Sequence, residues 1–422
     1  MPGPAARLEK DTAMAAEKSA MSPGKIAVSM MSMCFFTFGI QYIAMNFVPI
    51  YIAGLSFSTG MTVGIMMAVG SLVSAAAQPC WGMLADRSKT KNRVLAVVLL
   101  GVASAIWLLI IPDHKSLLTL VPCFAVTYCF LLVPTVLNDT IIVEKHTLTG
   151  LRYGFIRSFS SFGAAFTALA IYIFSLFAEI SPKTALVMVS ALALVSLVPL
   201  SFMPKTKGHG YGKAPGGRAS PRGILKNRRL VLLLAFGFCQ FMLVSCSNTF
   251  FSVYYGTDQG LNAGVGLFSL FYTVCIMAEA VVMITCAGLM SKVSVYFAFL
   301  LAPLAGGGRC LIMYLVSDKY LMFLAAVFHA LMFGPLMLRL APYIQATVPE
   351  EMRATSQAVW SLTASGMGAI AGSLIGGVIV RLVGIRNLFA IVAAASFAVF
   401  LVFCFLFGRQ RRRDAAEGFV SG

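Results

Sequence analysis

The sequence predicts an all-α integral membrane protein of twelve transmembrane helices arranged as two six-helix bundles, and three observations predict it. The first is composition. Of the 422 residues, 59% are hydrophobic and 11% charged, with a mean hydropathy of +0.88. Soluble domains carry about 25% charged residues, so a large soluble enzyme is excluded. The second is a succession of twelve apolar runs, each near the roughly 20 residues that cross a bilayer. The third is a single long polar interruption, placed after the sixth run.

Helix 1, at 26–53, follows a polar tail, 1–25, rich in Ala, Lys and Glu. Its apolar run is longer than a signal-peptide core, so it is expected to stay in the protein. Runs at 60–82, 94–112, 117–138, 153–178 and 183–203, each bounded by charge, Gly or Pro, complete the first bundle. Residues 204–228, rich in Gly, Pro, Lys and Arg, cannot build a core and read as a flexible cytoplasmic linker. The second bundle, 229–408, takes its helices from 229–255, 264–290, 295–316, 319–340, 354–380 and 387–408. A basic tail, 409–422, follows.

With the N-terminus placed inside, 24 of the 32 Lys and Arg residues fall in segments on that side, against 5 in the opposite loops. That asymmetry orients membrane proteins and predicts both termini in the cytoplasm, with the chain in the cell membrane. The net charge of +17 is then topological, and nucleic-acid binding loses its motive. The tail Arg409-Gln-Arg-Arg-Arg413 suits anionic headgroups or a plain stop signal. The ten cysteines form no CxxC pair and sit largely in apolar runs as small hydrophobes.

A faint repeat supports two halves. Gly82-Met-Leu-Ala-Asp-Arg87 after helix 2 matches Gly288-Leu-Met-Ser-Lys292 after helix 8, and Arg152 before helix 5 matches Arg353 before helix 11. Paired membrane halves are a transporter trait. Ionisable residues inside the spans come next, because burying them in a bilayer is costly and they are usually functional. They are Asp139 at the end of helix 4, Arg157 in helix 5, Glu279 in helix 8, Arg309 in helix 9 and His329 in helix 10, with Arg339 near the end of helix 10. Two carboxylates and two arginines drawn from both halves suggest one charged cluster at a central cavity. Gln41 in helix 1 and Asn248 in helix 7 are further cavity hydrogen-bonding candidates, and Gly368, Gly372 and Gly376 make a close-packing stripe in helix 11.

The stretch Gly82-Met-Leu-Ala-Asp-Arg-Ser-Lys-Thr-Lys-Asn-Arg93 resembles the loop motif of the major facilitator superfamily, and it lies between helices 2 and 3 as that family requires. The second glycine of the motif is replaced by Thr90 or Lys89. The resemblance implies the major facilitator fold and a conformational latch at Gly82, Asp86 and Arg87. A glycine there lets helix ends approach, and Asp86 can face the positive end of a neighbouring helix.

Asn138-Asp139, Arg157 eighteen residues on, Ala278-Glu279, Gly308-Arg309, Phe328-His329 and Pro349-Glu-Glu-Met-Arg-Ala-Thr-Ser-Gln357 fall in the order seen in the lactose-permease-like oligosaccharide/proton symporters. That resemblance implies an Asp139–Arg157 pair on a sugar hydroxyl, with Glu279 as the carboxylate of the second half. Arg309 and His329 would join the proton-coupling network with Glu279. Arginine offers a fixed fork of donors and carboxylate offers acceptors, which suits hydroxyl-rich ligands.

The chain departs from that family at Ala164, where an indole would stack on the sugar, and at Met332 and Ala326, where a carboxylate and a lysine would stand. Galactoside specificity is therefore not expected, and the proton carrier falls to Glu279, with Asp139 second.

The sequence thus reads as a secondary transporter for a small hydroxylated solute (a sugar, an oligosaccharide or a nucleoside-like compound), working by alternating access with proton symport. Sodium is left open, and the lipid bilayer is the one other partner expected of a monomer. No Walker loop, metal cluster or nucleophile constellation is present in the sequence, so no enzyme and no cofactor are expected, and an ion gradient supplies the energy. Drug/proton antiport lacks its helix 5 signature, since 160–172 holds no proline. Organic-acid import, with Arg157 or Arg309 as anchor, stays open, and a non-transporting receptor would tolerate loss of the buried charges.

Overall fold

The computed structural model describes residues 22–208, 227–290, 293–349 and 352–416. Most of the N-terminal tail, linker positions 209–226, Lys292, Glu350, Glu351 and the last six residues lie outside them. Twelve helices among the described residues are long and apolar enough to cross a membrane.

The first six are α1 (Pro23–Ala53), α2 (Gly60–Arg87), α3 (Lys91–Ala105, continued by Trp107–Ile110), α4 (Leu117–Leu131 and Val133–Lys145), α5 (Tyr153–Ser175) and α6 (Pro182–Ser201). The second six are α7 (Arg228–Gly256), α8 (Gly264–Met290), α9 (Val295–Leu315), α10 (Leu324–Thr347), α11 (Arg353–Ser361, Leu362–Gly368 and Ala369–Val383) and α12 (Ile385–Ala416).

Helix starts are set by local chemistry. Thr59 and Thr62 close a reciprocal capping box on α2, Ser181 caps α6, and Asn227 accepts from the first amides of α7. Each satisfies N–H groups that have no partner within the helix.

Several elements differ from the sequence reading, and four of the differences have a clear physical reason. α3 starts at Lys91 because the Lys91 ammonium is buried between Asp86 Oδ1 (3.2 Å) and Glu144 Oε1 (2.5 Å). Glu144, near the end of α4, is thus joined to the start of α3. α4 runs on to Lys145, so Asp139 sits about two turns inside the helix rather than at its end. Pro134 lacks an N–H and breaks the ladder near Leu132. α11 contains a π-helical stretch, Leu362–Gly368, a form rare outside functional segments. α12 carries the basic run to Ala416, because Asp414 is held by Arg229 Nε (2.8 Å), Tyr296 Oη (2.5 Å) and Gln410 Nε2 (2.8 Å).

These contacts define two ends. The basic end holds the loops at 88–90 and 146–152 and the starts of α1 and α7. One apolar core fills the first bundle and, at the opposite end, where Phe47 and Ile50 lie, continues into the second through Tyr255, Phe268 and Phe389. A second core, with Phe236, Phe299, Tyr343 and Phe407, belongs to the second bundle and lies nearer the basic end.

Close approaches between the bundles follow the same division. A Cβ on Gly64 in α2 would stand 2.6 Å from Ser373 O and 2.8 Å from Gly377 Cα in α11. Ile50 meets Gly256, and Ser175 meets Gly266. The bundles are closed on one another at the end opposite the basic loops. The glycine stripe of α11 lies on α7: a Cβ on Gly372 would reach Met242 O at 2.1 Å.

Candidate substrate and proton site

The charges expected at one central cluster separate into pairs, each within one bundle. In the first bundle, Arg157 Nε on α5 lies 3.1 Å from Asp139 Oδ1 on α4. Both side chains are about 30% exposed, at 31% and 29%. That leaves them open to a ligand while still shielded. The Phe38 ring on α1 lies over the guanidinium, 4.2 Å from ring centre to Cζ, within cation–π range. Beside them Asn138 Nδ2 donates to Cys34 Sγ at 3.7 Å, and Asn138 Oδ1 and Ser160 Oγ are buried with no hydrogen-bond partner among the described residues.

The approach of α1 to α5 that makes this site needs Gly163, where a Cβ would lie 2.1 Å from the Phe35 carbonyl oxygen. Gln41, on the same helix, places its amide nitrogen 3.9 Å from Met45 Sδ and leaves its buried Oε1 without a partner among the described residues. It touches neither Asp139 nor Arg157 through a hydrogen bond described here.

In the second bundle, Glu279 Oε2 on α8 lies 3.8 Å from His329 Nε2 on α10. The histidine is almost fully buried, and its Nδ1 has no partner among the described residues. Arg309 on α9, 2% exposed, donates from Nη1 to Asn248 Oδ1 on α7 at 2.6 Å and lies over the Phe251 ring at 5.4 Å. Arg309 and His329 therefore occupy two adjoining groups and are not joined by a hydrogen bond in this arrangement. Gln240 Oε1 is buried and unpartnered among the described residues. The bundles communicate through rings: Tyr42 of α1 lies 5.1 Å from Tyr272 of α8, which lies 6.0 Å from His329.

A Cβ on Gly82 would meet nothing among the described residues within 4 Å. The close approaches between the bundles found among the described residues, such as Gly64 to Gly377, lie at the far end. Asp86, half exposed, pairs with Lys91, the first residue of α3, and Arg87 is exposed at the end of α2. Arg339 donates to the Val293 carbonyl at 3.4 Å.

Sequence reasoning missed Phe38, Cys34 and Tyr272. Cys34, Phe38, Gln41 and Met45 recur at helical spacing along one face of α1. That stripe was readable, but a lone Phe in an apolar span carries no signal of its own.

Two bundles of six helices, closed at one end over a polar interior, define a membrane transporter fold. The chain belongs to the MFS_1 like family, whose model matches residues 27–391, and so to the transporters of the major facilitator type, which are not enzymes. It is 25% identical over 383 residues to the maltose permease of Geobacillus stearothermophilus, covering 89% of this chain and 93% of that one. An uncharacterized transporter of Bacillus subtilis, YwbF, is 22% identical over 81% of this chain and 84% of its own. The crystal structure of the nucleoside transporter NupG shares the fold with a TM-score of 0.75 at 14% identity, over 90% of this chain and 99% of that chain.

Proposed function

We propose that the protein imports a small hydroxylated solute, a sugar or oligosaccharide first and a nucleoside-like compound second, by proton symport through the cell membrane with both termini cytoplasmic. The observation that carries this is the Asp139–Arg157 pair under Phe38. Carboxylate oxygens accept from hydroxyls, the guanidinium fork donates to them, and an aromatic face covers the apolar side of a ring. The likeness to a maltose permease supports the sugar class.

Glu279 carries the proton and His329, 3.8 Å away, is its partner, since an ionisable pair placed inside the spans is costly to keep there without a function. The halves rock about the polar interior, and the described arrangement is the cytoplasm-facing one. Solute and proton are coupled because both favour the same conformations.

The substrate class is tested by counterflow in liposomes, with a labelled solute preloaded and a panel of sugars, nucleosides and organic acids outside. Exchange with sugars is expected; exchange confined to organic acids would replace this reading with an acid importer. A second test concerns the rocking motion. Gly64→Leu would press into the α11 backbone, and overpacking costs about 1–3 kcal/mol, a shift of about 5- to 150-fold away from this arrangement. Spin-label distances across the loops opposite the basic end should lengthen and uptake should fall. Unchanged distances with full uptake would contradict the assigned closure.

A further inference from the structure

The chain leaving α6 folds back over the loop between α2 and α3 as a short strap. The Thr206 N–H donates to Asn92 Oδ1 (3.0 Å) and Asn92 Nδ2 to the Pro204 carbonyl (3.2 Å). The Lys91 N–H donates to the Thr206 carbonyl (2.8 Å) and the Gly208 N–H to the Ser88 carbonyl (3.3 Å). These bonds fix Lys205 beside Lys89 and Arg93. The three cations line a cleft of about 510 Å³ whose other walls include Ala96, Leu197 and Leu200, and among the described residues no acidic one lines it.

Depth sorts the two kinds of wall. Lys89 and Lys205 lie outside the helices and Arg93 in the first turn of α3, whereas Ala96 and Leu197 lie about one turn further into the membrane-spanning parts of α3 and α6. The cleft is thus cationic at headgroup level and apolar at acyl level, and its volume is that of a ligand pocket, more than a free phosphate fills.

We propose that this cleft binds one anionic glycerophospholipid of the leaflet at the basic end. Its phosphate lies among Lys89, Arg93 and Lys205, and an acyl chain lies over Ala96, Leu197 and Leu200. Bound there, the lipid ties the start of the interbundle linker to the α2–α3 loop. The cluster differs from ordinary orienting charge, which needs neither a shaped cleft nor an apolar floor.

The test is native mass spectrometry of delipidated full-length protein titrated with phosphatidylglycerol, phosphatidylcholine or inorganic phosphate. One phosphatidylglycerol is expected to bind, with phosphatidylcholine and phosphate failing to compete. The triple variant Lys89→Gln/Arg93→Gln/Lys205→Gln should bind about a hundredfold more weakly, about fivefold per cation. The control Arg411→Gln/Arg412→Gln/Arg413→Gln removes equal charge elsewhere and should bind as before. Ala96→Trp fills the floor with the cations intact and should also lose the lipid.

Equal loss in the tail control would overturn the proposal in favour of diffuse attraction. Competition by inorganic phosphate would make the cleft a free-anion site. Undiminished lipid binding by Ala96→Trp, or by the triple variant, would remove the lipid from this cleft.

Discussion

Glu279→Gln is expected to abolish solute accumulation against a gradient while leaving energy-independent exchange in place. The reason lies in the pair with His329. Glutamine keeps the volume and a hydrogen-bonding oxygen within reach of the histidine Nε2, now 3.8 Å from Glu279 Oε2, so the packing of α8 on α10 survives. What it lacks is a proton to take up and release. Accumulation should fall at least about a hundredfold, the scale of losing one positioned proton-transfer group, with counterflow retained. Radiolabelled uptake with and without an imposed pH gradient measures both. Full accumulation by this variant would rule out Glu279 as the proton carrier and move the role to Asp139.

The second large effect is at Arg157. Lysine at this position keeps the charge but loses the planar fork and the surface that lies on Phe38. Hydrogen bonds to charged groups are worth about 1.5–3 kcal/mol, so solute affinity should weaken about 10- to 150-fold in a protein that still folds. Phe38→Ala removes only the ring and should cost less, in the range of about 0.5–2 kcal/mol for a cation–π contact. Affinity measured by calorimetry on purified protein separates the two. Unchanged affinity in Arg157→Lys would reduce the residue to a structural partner of Asp139.

Much of the fold was legible because the bilayer imposes a strict rule on the chain: helices must be long, apolar and self-satisfied in hydrogen bonding. The twelve runs, their order and the polar break after Phe202 and Met203 follow from that rule. Helix ends were harder, since a charge usually ends a span. Lys91 begins α3 only because Asp86 and Glu144 neutralise it, and the α12 extension depends on Asp414 reaching Arg229 and Tyr296 from more than a hundred residues away.

The site was legible in its charges and not in its pairing. Asp139 with Arg157 was expected, whereas no ion pair among the described residues joins the charges of the two halves. Each bundle balances its own interior instead, and Arg309 turns to Asn248 and the Phe251 ring. The open space that a Cβ on Gly82 would find among the described residues is a property of one conformation. A motif read from sequence describes a residue across all conformations and cannot choose among them. Tyr42, Tyr272 and His329 form their chain of rings only once α1, α8 and α10 have packed together.

The central claim is that solute and proton move together through the site held by Glu279 and Arg157. Purified protein in liposomes carrying an internal pH dye tests it directly, with sugars added outside in the absence of any imposed gradient. Internal acidification on adding one sugar class, abolished in Glu279→Gln, is the predicted result. Uptake of the same sugar with no proton movement, or acidification that persists in Glu279→Gln, would contradict it.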